Sequence, residues 1–237
     1  MFKVVPLCEL QLKDIRKEDI LENGNMRKCN SYRGGGGYDQ FPYIAEKRLQ
    51  IKTTEQLVVQ LYGCNLKCPY CYVTKEGIFG KYIEYKSKEL INILNKNNLN
   101  VFHLMGGAPA LYYEKWIDII RELQDNQLFH SDFLLSEKLY KNEIIKEIAQ
   151  KNCLYAVNIK GTDKENYETN TNTKYNEKKI FKNLEILIKN DINFYITFTA
   201  ANNNTYESYV NLLIKNFGIN ILEDSFRIEL IKYEALK

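Results

Sequence analysis

The chain has 237 residues, 45% of them apolar and 27% charged, with a formal net charge of +3. That length suits one domain, the composition excludes a disordered chain, and the small charge argues against a protein whose main task is to coat nucleic acid, though not against a nucleotide substrate. No apolar run reaches 18 residues and the first ten residues carry Lys3 and Glu9, so neither a transmembrane helix nor a secretory signal is expected, and a cytoplasmic location is.

Beyond residue 56, strand and helix patterns alternate. Residues 57–62 (LVVQLY) are a β-branched apolar run that predicts a buried strand. Residues 84–97 place Leu90, Ile91 and Leu94 at helical spacing, and residues 101–105 (VFHLM) predict a strand ending at Gly106. Residues 112–124 set Trp116, Ile119, Ile120 and Leu123 on one helical face. A strand over 132–136, a helix over 140–151 and a strand over 154–159 follow. A helix over 177–190, a strand over 193–199, a helix over 205–216 and a strand over 226–231 complete the series.

Six strands with helices between them imply βαβ units and a parallel sheet. Six units are too few to close an eight-stranded barrel. The expected fold is therefore α/β, a partial (β/α)6 open TIM-like barrel over residues 57–237, with residues 1–56 as an N-terminal extension packed on it. A doubly wound sheet satisfies the same pattern, and in either case a ligand belongs at the C-terminal ends of the strands. The extension contains Gly34 to Gly37, read first as a flexible loop and second as backbone that approaches a substrate.

Six cysteines are present: Cys8, Cys29, Cys64, Cys68, Cys71 and Cys153. A disulfide framework suits small secreted scaffolds, and clustering in a chain of this kind points to metal. Three of the six fall within Gly63-Cys64-Asn65-Leu66-Lys67-Cys68-Pro69-Tyr70-Cys71-Tyr72, with C-x3-C-x2-C spacing, directly after a predicted strand. Three thiolates on one short loop can reach three corners of a cubane. A [4Fe-4S] cluster usually takes four cysteines, so one iron is left open to chelate an amine and a carboxylate. The rival is zinc, which wants four ligands, commonly as paired C-x2-C units, and no second such pair exists. Cys153 is expected in the core and Cys8 and Cys29 in structural roles. His103 is expected to be a core histidine and His130 to lie at the surface.

The cysteine loop resembles the signature of the radical S-adenosylmethionine (SAM) superfamily, including the aromatic Tyr70 before its third cysteine. Met105-Gly106-Gly107-Ala108-Pro109 is similar to that family's Gly-Gly-Glu-Pro motif, which holds the amino group of SAM through backbone atoms; Ala108 stands where an acid is common. Over roughly residues 57–231 the resemblance implies Cys64, Cys68 and Cys71 as cluster ligands. It implies Tyr70, Tyr72, Gly106, Gly107 and Ala108 around the cofactors. It further implies Ser136 and Glu137, then Asn158 and Lys160, as polar groups at the third and fourth strand ends that hold the SAM carboxylate and ribose. Alternation puts Asn158 and Lys160 on one face, and Thr197 and Thr199 likewise. The Asn-x-Lys segment is similar to the Asp-x-Lys of glycyl-radical-enzyme activating enzymes.

The implied activity uses a [4Fe-4S] cluster and SAM. An electron donor such as flavodoxin or ferredoxin reduces the cluster, SAM is cleaved to methionine and a 5′-deoxyadenosyl radical, and the radical abstracts hydrogen from a substrate. The absence of a cysteine-rich segment after residue 231 speaks against the twin-cluster peptide-maturase type. A polypeptide substrate is expected first and a small nucleotide or pterin-like substrate second. A non-catalytic zinc or iron-sulfur protein is the reading outside enzymes, and no membrane partner or strong nucleic-acid signal is seen.

Overall fold

The computed structural model describes residues 1–30, 55–71, 73–135, 138–199, 205–222 and 228–231. Strands β1 (Phe2–Val4), β2 (Ile20–Leu21) and β3 (Met26–Asn30), with helix α1 (Glu9–Asp14), precede the repeating part. That part opens with β4 (Glu55–Gln60), α2 (Lys75–Phe79), β5 (Ile83–Tyr85), α3 (Ser87–Lys96) and β6 (Val101–Met105). It continues through α4 (Trp116–Ile120), β7 (Leu128–Leu134), α5 (Asn142–Ile148) and β8 (Cys153–Ile159). It ends with α6 (Lys164–Thr171), α7 (Glu177–Lys189), β9 (Phe194–Thr199), α8 (Tyr206–Phe217) and β10 (Ile228–Ile231).

Among the described residues the main sheet has eight strands in the order β10-β9-β8-β7-β6-β4-β3-β2 and is open at both edges. The six strands from β4 to β10 in this order are parallel, and they are the six that the hydrophobic pattern predicts. Residues 20–30 add two antiparallel strands beyond β4, with Cys29 opposite Gln56. β1 pairs with β5 in a separate two-stranded ribbon. No helix among the described residues is long and apolar enough to cross a membrane.

Alternation gives the sheet two faces. Leu57, Val59, Phe102, Leu104, Phe129, Phe133 and Tyr155 point to the helices and pack with Leu90, Leu94, Ile119, Ile145 and Leu184. Trp116 is fully buried there, 4.9 Å from Phe133 and 5.6 Å from Tyr155 between ring centroids. Truncating an aromatic so placed costs about 3–5 kcal/mol. The other face gathers Val101, Leu128, Leu154, Ala156 and Tyr195.

Several boundaries differ from expectation. The expected helix over 84–97 splits, because residues 83–85 are captured as a strand by β1 and the helix begins only at Ser87. The expected helix over 112–124 is a tight 3-10 segment from Pro109 to Lys115 followed by α4. The third parallel strand begins at Leu128, four residues before the expected start. This shift corrects the surface placement of His130. That residue is fully buried in β7, its ring 4.1 Å from His103 and its Nε2 hydrogen-bonded to the Tyr195 hydroxyl at 3.1 Å. His103 is buried as expected, its Nδ1 2.7 Å from Gln56 Oε1. Cys153 is fully buried and burial pushes its thiol up to about 12, an inert state.

Candidate active site

β4 delivers the chain to the C-terminal rim of the sheet, where Gly63 turns it with φ +93° and Cys64 follows. Cys64, Cys68 and Cys71 are half-buried thiols that line one pocket. Leu66, Ala108 and Leu134 form an apolar wall against Cys64 and Cys68. The loop is shaped by its own bonds, Leu66 N–H to Cys64 Sγ at 3.4 Å and Cys71 N–H to Cys68 O at 3.1 Å. It is also held from outside. Lys67 N–H donates to Thr171 O at 2.9 Å, Asn172 Nδ2 to Lys67 O at 3.2 Å and Thr173 Oγ1 to Asn65 O at 3.4 Å. Burial pushes the Cys71 thiol up, against the Val73 amide and the Lys160 ammonium, which favour the thiolate.

Three thiols and no fourth on this loop fit a cubane with one iron open. Among the described residues no three His, Cys, Asp or Glu side chains converge to hold a single ion. A zinc ion usually takes four such ligands, whereas a cubane with one open iron takes three thiols, one per iron. Neither Cys8 nor Cys29 lines the pocket.

Beside the cysteine loop, β6 ends in Gly106 (φ +72°) and Gly107 (φ +60°). A Cβ on Gly106 would stand 2.5 Å from Gln60 Cγ, and one on Gly107 would stand 2.4 Å from Leu61 O and 2.5 Å from Gly63 O. Glycine is thus required for the two strand ends to meet, and Ala108 N–H closes the junction on Gly63 O at 2.8 Å. Ala108 is itself buried against Leu66 and Leu134, so an acid at this position would lose its water.

The far wall comes from β7 and β8. Asn158 Oδ1 accepts from Thr197 Oγ1 at 2.8 Å, which fixes its amide. Lys160 Nζ lies 5.9 Å from the centre of the Tyr70 ring, and Lys160 O accepts from Asn170 Nδ2 at 2.7 Å. The structure brings Cys64, Cys68, Cys71, Tyr70, Gly106, Gly107, Ala108, Asn158 and Lys160 to one pocket, together with Val73, Pro109 and Asp132. Its space is about 660 Å3 when the open mouth is included. Tyr72, Ser136, Glu137 and Gly34–Gly37 lie outside the described residues, as does the side chain of Thr199.

Asp132 is the site residue that the sequence pattern did not single out. Burial pushes its carboxyl up to about 7, against the pull of Lys160. The signal was available in the two-residue period, since Leu128, His130, Asp132 and Leu134 share the inner face once β7 starts at residue 128.

The family model described as the Radical SAM superfamily matches residues 58–213, which is 156 of the 237 residues. A protein of Methanocaldococcus jannaschii, named as a candidate glycyl-radical enzyme activating enzyme, is 31% identical over 103 residues, 39% of this chain and 40% of that protein. Among solved structures, native anSMEcpe with bound AdoMet shares the fold with a TM-score of 0.52 at 21% identity, over 73% of this chain and 49% of that one. Streptococcus suis SuiB bound to precursor peptide SuiA shares it with a TM-score of 0.54 at 16% identity, over 82% of this chain and 43% of that one. The chain thus spans under half the length of each of these three proteins.

Proposed function

The chain belongs to the radical SAM superfamily, a family of enzymes that use a [4Fe-4S] cluster and SAM, and from that premise we propose that it cleaves SAM reductively and takes a hydrogen atom from a polypeptide. The observation that carries this reading is the single pocket shared by the three thiols, the Gly106–Pro109 turn, Asn158 and Lys160 at the C-terminal ends of parallel strands. When bound, the cluster and SAM supply an electron to the sulfonium and a 5′-deoxyadenosyl radical that abstracts hydrogen.

The residues divide the remaining work. Cys64, Cys68 and Cys71 would hold a [4Fe-4S] cluster with three thiols and leave one iron for SAM. Backbone carbonyls of the Gly106–Ala108 turn accept from the ammonium, which a side chain at Ala108 cannot do. Lys160 meets the carboxylate, and Asn158, anchored by Thr197, offers its amide to the ribose. Leu66, Ala108 and Leu134 keep water from the thiol side of the pocket, which strengthens these electrostatic contacts. A polypeptide substrate is supported by the relative from M. jannaschii. The electron comes from a protein carrier of the flavodoxin or ferredoxin class.

The test is anaerobic. Protein reconstituted with iron and sulfide receives SAM and dithionite, and 5′-deoxyadenosine is assayed by mass spectrometry. Production that vanishes in Cys68→Ala is the expected result. One tightly bound zinc, no iron and no 5′-deoxyadenosine would overturn the reading in favour of a structural metal protein. Deuterium passing from Cα-deuterated glycyl peptides into 5′-deoxyadenosine supports the polypeptide substrate. Transfer only from purine or pterin-like compounds would replace it.

A further inference from the structure

Next to the cysteine loop, on the outer rim, the described residues present an apolar corner that the proposed chemistry leaves unused. Phe79, Tyr82 and Leu111 are 46%, 41% and 39% exposed, three of the ten large apolar side chains exposed among the described residues. The Tyr62 ring joins them, 6.1 Å from Phe79 and 5.0 Å from Tyr82 between centroids. Tyr112 donates its hydroxyl proton to Tyr62 O at 3.0 Å. Clustered exposed apolar surface of this kind marks an interaction site.

The corner is cationic and well anchored. Lys3 Nζ sits 4.6 Å from the Tyr82 ring centre and 5.8 Å from that of Tyr62, and Lys115 Nζ sits 5.8 Å from the Tyr112 ring centre. Lys81 is exposed beside Tyr82, and Glu84 is the acid that acts on Lys3. The backbone is fixed by the β1–β5 ribbon, by Tyr62 N–H on Lys3 O at 2.9 Å and by Gly63 N–H on Ile78 O at 2.8 Å. Tyr62 is two residues from Cys64, which limits their Cα atoms to about 7.6 Å apart.

We propose that this corner docks an acidic one-electron carrier protein and passes its electron inward at Cys64. The proposal rests on the function proposed above. Three features select this partner over others. The lysines complement an acidic surface, which steers encounter more than it adds affinity. The aromatic centre is small, as suits the limited interfaces of transient redox complexes. A single residue, Gly63, separates the patch from the first cysteine. The carrier loses one electron and the protein-bound cluster gains one, with no atom transferred.

The experiment uses the reconstituted protein and an acidic flavodoxin as probe. Binding of oxidised flavodoxin is measured by calorimetry at low and high salt, and 5′-deoxyadenosine formation is driven in parallel by reduced flavodoxin or by dithionite, which needs no docking. The double variant Lys3→Glu with Lys115→Glu is expected to weaken flavodoxin binding about tenfold or more and to raise the half-saturating flavodoxin concentration equally, with the dithionite-driven rate unchanged. Tyr82→Ala is expected to weaken binding with little change in its salt dependence. Unchanged flavodoxin affinity in both variants would overturn the proposal. So would an equal loss of the dithionite-driven rate, or a patch occupied by a second copy of the chain that flavodoxin does not displace. Absence of dithionite-driven product in the unaltered protein would sink the proposed function instead, and the binding measurement would still decide the docking surface.

Discussion

The backbone N–H of Lys67, midway through the cysteine loop, donates to the carbonyl of Thr171, the last residue of α6. A helix C-terminus leaves carbonyls unpaired, and here the cysteine loop takes one of them. Asn172 completes the clamp. It adopts φ +48° as the helix cap and returns a side-chain bond to Lys67 O. Asn172→Gly keeps the left-handed backbone and loses only that bond, whereas Asn172→Ala loses both, at about 1–2 kcal/mol for the backbone alone. Both variants are expected to lose iron to a chelator faster than the unaltered protein, and only the alanine variant should unfold at clearly lower denaturant. Equal iron-loss rates in all three proteins would show that the clamp does not hold the loop.

Gly107 tests the junction between the two strand ends. Its alanine variant must accept both a positive φ and a Cβ 2.4–2.5 Å from two backbone oxygens, neither of which can swing away. Gly24, at φ +88°, has nothing within 4 Å of the point a Cβ would occupy, so Gly24→Ala carries the conformational cost alone. Gly107→Ala is expected to cost at least about 2 kcal/mol and to exceed Gly24→Ala. Calorimetric titration with SAM should show weakened binding only for the Gly107 variant. A Gly107→Ala protein as stable as the Gly24→Ala protein would contradict the crowding.

The parallel core was legible because Leu57 to Val59, Val101 to Met105 and Cys153 to Ile159 are nearly continuous apolar runs, the mark of strands buried on both faces. The cysteine spacing was legible because the loop is local. What escaped depends on distant partners. α6 has Tyr167 as its one large apolar side chain and is held by Asp163, whose Oδ1 accepts from Asn166 N–H at 2.9 Å. β3 reads Met-Arg-Lys-Cys-Asn with no alternation, and its pairing with β4 supplies what its sequence lacks. In β7 the run His130-Ser131-Asp132 hid a strand whose His130 and Asp132 face the inner side of the sheet.

Asp132 gives a pH dependence with a definite sign. Its carboxyl is raised from 3.8 to about 7, chiefly by burial. Between about pH 4 and pH 7 the folded state keeps a proton that the unfolded chain releases, so this group's contribution to stability falls as pH rises through that window. Asp132→Asn removes the penalty. The variant is expected to match the unaltered apo-protein near pH 4 and to exceed it at pH 8 by on the order of 2 kcal/mol, less than the full ~4 kcal/mol because water in the open pocket screens the charge. Urea denaturation at pH 5 and pH 8 checks this. A stability difference that does not change with pH would mean the carboxyl is not raised.

The paired histidines act in the opposite sense. Burial lowers His103 to about 3, with Arg27 adding to the effect, and burial with His103 alongside lowers His130 well below its ordinary value of 6.5. Both rings are therefore neutral in the folded state while the unfolded chain takes up protons below about pH 6.5. Stability is lost as pH falls below that point, by up to about 1.4 kcal/mol per pH unit for each ring. His130→Gln keeps a polar partner for the Tyr195 hydroxyl and removes one titrating group. Between pH 7.5 and pH 5.5 the unaltered protein is expected to lose about 2–3 kcal/mol from the pair and the variant about half of that. Because Asp132 gains stability over part of the same range, the comparison is best made in an Asp132→Asn background, where the histidine slope stands alone. A slope unchanged by His130→Gln in that background would show that the ring takes up its proton in the folded protein at the same pH as in the unfolded chain, so that burial does not hold it neutral.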